Sequence, residues 1–324
     1  MSRALRTTVF VAGGVVLVLV TAAMLFVPAA SPRRLIAGAL EVGDPSFYAV
    51  PPTTTAAPPG TLVRSEELRS APAGSRGWRV LYHSTDADNR DAVVSGIVVA
   101  PDSPTPPSGR TVVGWGHLTT GATASCASSN GLDPFLLIVG VRAVLAAGHV
   151  VVAPDYPRLG VAAPSSYLIG ASEAHSLLDA VRVVRQLPTA ATTTSVLWGH
   201  SQGGHAVLFA AQEAAAYAPE LTVRAAAVAA PAADLGMLLN DDIGDVSGIT
   251  LGSYAFAAYQ QAYASQYPGL ELTSILTDAG CDANDGEPLS PGRQPQAARP
   301  GPTADRRIPA QRPEHHTPVV RLAR

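Results

Sequence analysis

The sequence predicts an α/β fold, a mostly parallel sheet with helices on both faces. Three observations carry this. From residue 110 onward, short apolar runs alternate with segments of helical period. Before residue 100, strand candidates follow one another with only polar turns between them, so the sheet opens antiparallel. Between the apolar run 195–198 and an Ala-rich stretch lies Gly199-His200-Ser201-Gln202-Gly203-Gly204, a Gly-x-Ser-x-Gly turn joining strand to helix.

In order, residues 61–64, 78–82 and 93–99 read as the opening strands. Residues 110–116 form a more continuous apolar strand that runs into His117-Leu118-Thr119-Thr120-Gly121. A helix is expected over 134–147, then a buried strand at 149–154. Over 171–187, Ala174, Leu177, Leu178, Val181 and Val184 share one helical face. The strand at 195–198 follows, then a helix over 204–214, then a strand at 223–230. Residues 232–280 lose the alternation. Tyr254, Phe256, Tyr259, Tyr263 and Tyr267 suggest either an apolar lid or plain helix packing.

Outside this core the chain changes character. Arg3 and Arg6 precede an apolar run from 9 to 27 and then small residues, the pattern of an export signal or membrane anchor within residues 1–30. Residues 31–59 read as a Pro/Thr-rich linker, and 60–280 as the folded domain. Residues 281–324 are rich in Pro and Arg without apolar periodicity and read as a disordered tail. The abrupt change at 281 suggests a shifted reading frame or a truncated copy, and a sheet without its last strands.

The 324 residues are 47% hydrophobic and 15% charged, enough for a large core. A formal charge of −3 argues against a nucleic-acid partner. Cys126 and Cys281 would meet an oxidising compartment after export, but their spacing does not show pairing. Neither a CxxC nor an HExxH pattern is present, so no metal and no cofactor is expected.

The Gly-x-Ser-x-Gly turn names Ser201 as a nucleophile. Side chains at Gly199 and Gly203 would collide with backbone, and the serine is forced into a strained conformation above a helix N-terminus that favours negative charge. With this turn, several separate stretches resemble the secretory lipases of bacteria and fungi, a branch of the α/β-hydrolases. They are residues 44–48, 60–65, 78–86, 116–121, Cys126, Asp155-Tyr156 with Leu159-Gly160, and 199–204. The resemblance covers about residues 44–280. It implies a carboxylester hydrolase acting on lipid or acyl esters, with Ser201 as nucleophile. It also implies oxyanion donors at the Gln202 backbone N–H and in the 117–121 loop, at Thr120. Leu118 stands where many relatives have Gly. His117 is read as loop-shaping, His200 as a filler of the turn pointing away from the reactive side, and His175 as a partly exposed structural residue.

The chain order of this fold is Ser, then an acid, then His. Beyond the turn and its flanking His205, the only histidines downstream of Ser201 are His315 and His316, both in the Pro/Arg tail and both weak candidates. Asp234, Asp241, Asp242, Asp245 and Asp278 are acids by order, with helix caps or solvated charges as the favoured reading. Three functions therefore stand at this point: an exported serine esterase or lipase, an inactive scaffold of the same fold, and a serine peptidase on that fold. Residues 9–27 add membrane association to the partners, beside a small-molecule or lipid ester.

Overall fold

The computed structural model describes residues 46–267 except Ile243. The segments read as signal, anchor and tail lie outside the described residues, as do Asp278, Cys281, His315 and His316.

Among the described residues seven strands form one sheet: β1 (Leu62–Leu68), β2 (Ser75–Thr85), β3 (Asp91–Pro101), β4 (Arg110–Gly116), β5 (Val150–Pro154), β6 (Ala191–His200) and β7 (Thr222–Ala229). Their spatial order is β1-β2-β3-β5-β4-β6-β7. The pairs β1–β2, β2–β3 and β3–β5 are antiparallel, and β5, β4, β6 and β7 run parallel. The antiparallel opening and parallel continuation follow the sequence, because hairpin turns join only the first strands while helices carry the later crossings.

Alternation along each strand sends side chains to two cores. Val112, Val150 and Val152 face one cluster with Leu177, Leu178 and Val181 of α2 (Gly170–Val183) and Val207 and Ala210 of α3 (Gln202–Tyr217). Val113, Trp115, Val151 and Ala153 face the other, against Val141 and Leu145 of α1 (Val141–Ala146). Helices thus cover both faces, as expected. The helix expected over 134–147 shrinks to α1. Gly140 sits at φ 80° immediately before it, and Phe135 and Ile138 turn inward from a non-helical stretch. The helix after Ser201 begins at Gln202, two residues earlier than expected.

The linker expectation fails near residue 47. Phe47 and Tyr48 are buried with Leu81, Leu159 and Val161, and the Arg79 guanidinium lies over both rings, 5.3 and 5.5 Å from their centroids. Aromatic burial anchors this segment despite its proline-rich continuation. Beyond β7 come α4 (Leu235–Asp242) and α5 (Val246–Tyr263). No helix among the described residues is long and apolar enough to cross a membrane.

Candidate active site

After β4 the chain steps to β5 on one side; after β5 it crosses back to β6 on the other side of β4. The strand order reverses there, and a crevice opens at the carboxyl ends of β4 and β6. Ser201 follows β6 and the loop beginning at His117 follows β4, so the topology brings both sequence candidates to one crevice.

Ser201 has φ 55° and ψ −119°, a backbone that residues with side chains rarely adopt. Its N–H donates to the Ala229 carbonyl (3.1 Å) at the end of β7. Its own carbonyl accepts from His205 N–H (3.1 Å) and Ala232 N–H (3.2 Å). These bonds hold the strained residue in place. The glycines around it allow the approach: a Cβ on Gly199 would strike the Gly203 carbonyl, and one on Gly203 would strike the Gly116 carbonyl and lie 2.6 Å from that of His117. The helix start therefore packs directly on the loop after β4. Gln202 is the first residue of α3, where backbone N–H groups have no partner in the preceding turn.

Thr120 is half-buried in the β4 loop, beside Thr119, whose hydroxyl pairs with the Tyr167 hydroxyl at 3.0 Å. A narrow crevice is lined by Gly121, the next residue of the loop, with Tyr156, Pro157, Tyr167 and Gln202. Behind Ser165 and Ser166, which line both spaces, a cavity of about 450 Å³ opens between the Asp86–Asp91 turn and the end of α5.

His117 is buried, and neither ring nitrogen has a partner among the described residues. Burial lowers its pKa to about 4, so the imidazole is neutral. His205 is also buried. Its Nδ1 pairs with the Ala232 carbonyl (2.8 Å), and burial is the largest influence, lowering its pKa. His175 corrects the sequence reading: it is buried, not partly exposed. Its Nδ1 meets Thr85 Oγ1 (2.8 Å), its Nε2 meets a Glu213 carboxylate oxygen (3.2 Å), and its ring stacks on Tyr217. Those partners come from β2 and α3, far away in sequence.

The acid candidates among the described residues are exposed. Asp234 Oδ1 accepts Met237 N–H (3.0 Å) at the start of α4, a helix cap. Asp241 and Asp242 end α4, and Asp245 precedes α5. The histidine–carboxylate contacts among the described residues are His83–Asp91 and His175–Glu213, and neither includes these acids. Cys126 Sγ lies 3.3 Å from Thr123 Oγ1. No three His, Cys, Asp or Glu side chains among the described residues converge on a metal position.

The tyrosine-bearing stretch is α5. It docks on residues 165–169: Tyr254 packs edge-on to Tyr167 (5.7 Å), Tyr259 Oη donates to the Leu168 carbonyl (3.1 Å), and Gln261 Oε1 accepts Ser165 N–H (2.9 Å). Tyr267, past the helix, is exposed.

Sequence reasoning missed Glu173. It is wholly buried, and its Oε1 accepts both Gln202 Nε2–H (2.6 Å) and Leu168 N–H (3.0 Å). Burial raises its pKa to about 8 against the opposing pull of those two bonds. The available signal was its spacing, four residues before Leu177 on the apolar face of α2.

A sheet of this order, with a strained serine between β6 and α3 at its switch point, defines the class of α/β-hydrolases. Residues 128–278 match the model of a family described as secretory lipase. It is 27% identical over 222 residues to a protein of Mycobacterium tuberculosis named "Probable inactive lipase MT1628", covering 63% of this chain and 48% of that one. The chain thus spans about half the length of this curated relative. Its fold is shared by Candida antarctica lipase A in its closed state (21% identity, TM-score 0.60, 76% of this chain and 59% of that one). The ligand-bound rice cell wall degrading esterase LipA of Xanthomonas oryzae is 26% identical, with TM-score 0.56 over 70% of this chain and 66% of that one.

Proposed function

We propose that the chain is an exported serine hydrolase of carboxylic esters, with lipid or acyl esters as substrates. The observation that carries this is Ser201 at φ 55° between the glycines of the strand–helix turn. In this reading Ser201 Oγ attacks the ester carbonyl, and a histidine takes its proton and later passes it to the leaving alcohol. The oxyanion is met by the Gln202 backbone N–H and by Thr120 in the facing loop. Losing one such donor costs about 3 kcal/mol of barrier. The base is not assigned among the described histidines. Burial lowers the pKa of both His117 and His205 and so makes each a weaker proton acceptor, and His315 and His316 lie outside the described residues. The apolar run 9–27 serves as export signal, and its retention would associate the protein with a membrane.

A second reading is a catalytically silent hydrolase scaffold. It is favoured by the name of the mycobacterial relative, "Probable inactive lipase". Turnover separates the two. Purified chain is offered p-nitrophenyl esters of short and long acids and matched anilides, beside Ser201→Ala. Ester turnover lost in the variant supports the hydrolase, anilide turnover supports a peptidase, and no turnover supports the scaffold.

A further inference from the structure

We propose that Glu173 is a positioning residue: through the Gln202 side chain it sets the backbone N–H that faces the reacting carbonyl, and it ties that N–H to the loop on which α5 sits. The proposal rests on the hydrolase reading.

A single carboxyl oxygen does the tying. Glu173 Oε1 accepts from Gln202 Nε2 at 2.6 Å and from the Leu168 N–H at 3.0 Å. Leu168 has φ 56°, a turn that needs holding. Its carbonyl accepts from Tyr259 Oη of α5 at 3.1 Å. The path Tyr259–Leu168–Glu173–Gln202 thus runs from α5 to the residue after the nucleophile. The other oxygens of the pair, Glu173 Oε2 and Gln202 Oε1, are buried without partners among the described residues. A bare carboxylate oxygen in that setting is costly, and the acid is neutral at pH 7 because burial dominates. Among the described residues Tyr156, Tyr167 and Tyr259 are the titratable groups facing it, and burial raises the pKa of each, so they remain uncharged. A neutral acid fixes the Gln202 amide without placing negative charge near a forming oxyanion, which a carboxylate would oppose.

The test is the rate at which a fluorophosphonate labels Ser201 in the full chain, resolved into reagent affinity and bond-forming rate. Glu173→Gln keeps an oxygen able to accept both bonds, and the bond-forming rate is expected to stay within about twofold of wild type. Glu173→Leu and Gln202→Met break the link from its two ends. Each is expected to lower the bond-forming rate roughly 10- to 100-fold with affinity unchanged, the scale for a misplaced catalytic group. Wild-type rates in both breaking variants, or an equal loss in Glu173→Gln, overturn the proposal. If wild type does not label, the hydrolase reading fails and amide exchange decides the link alone. Faster exchange at residues 166–170 and 200–206 in Glu173→Leu and Gln202→Met but not in Glu173→Gln supports it; equal exchange in all four proteins overturns it.

Discussion

β5 and β7 are both parallel, apolar strands, yet every residue of β5 is buried and none of β7 is. Their sequences, Val-Val-Val-Ala-Pro and Thr-Val-Arg-Ala-Ala-Ala-Val-Ala, do not announce this difference. Position does. β5 lies between β3 and β4, under α1 on one face and α2 on the other. Among the described residues β7 pairs on one side only, with β6. Ser201 stands where the two regimes meet. Its strand joins the packed sheet to the open strand, and its N–H is held by the last residue of β7. The strained backbone at Ser201 is therefore supported from the solid side by α2 and α3 and from the open side by Ala229 of β7 and Ala232 just beyond it.

Four measurements sharpen or break this comparison. Leu178→Ala removes a wholly buried side chain from the packed side and is expected to cost about 3 kcal/mol, read from the urea midpoint. Next in size is the pH dependence of Glu173. Its pKa rises from 4.5 in the unfolded chain to about 8 in the fold, so the folded state keeps a proton that the unfolded chain releases. Its favourable contribution is complete below pH 4.5 and is lost as pH climbs through 8. Glu173→Gln should gain stability over wild type between pH 5 and 8, by roughly 3 kcal/mol. A constant gap across that range would contradict the neutral acid.

Smaller still is the relief of strain at the junction. Ser201→Gly accepts φ 55° freely and should raise stability by about 1 kcal/mol in thermal unfolding, while abolishing labelling. A lower melting temperature would contradict the strained turn. On the open strand, Arg224→Ala should change stability by less than about 0.5 kcal/mol, because Arg224 is exposed. A loss as large as that of Leu178→Ala would show that β7 is structurally part of the packed core.

The strained turn at Ser201 was legible because its neighbours are constrained by sterics. Only glycine fits at 199 and 203, and such positions mark themselves in the sequence. The order of strands and helices was legible from apolar period for the same local reason. Glu173 was not, because a lone acid on a helix reads as solvent-facing, and its burial depends on Gln202 and Leu168 arriving from elsewhere. His175 was misread in the same way, with partners on β2 and α3. Phe47 and Tyr48 were hidden by the prolines that follow them, since local composition cannot show a distant Arg79. The helix expected over 134–147 failed at Gly140, where apolar content outweighed a glycine in the reading but not in the fold.

The most direct test of the account is to treat the purified full-length chain with a fluorophosphonate and locate the adduct by peptide mass spectrometry, with Ser201→Ala beside it. The account predicts a single adduct on the peptide containing Ser201, formed rapidly and absent from the variant. A folded wild-type protein that takes no label at Ser201 would contradict it and leave the fold as a hydrolase scaffold without the chemistry.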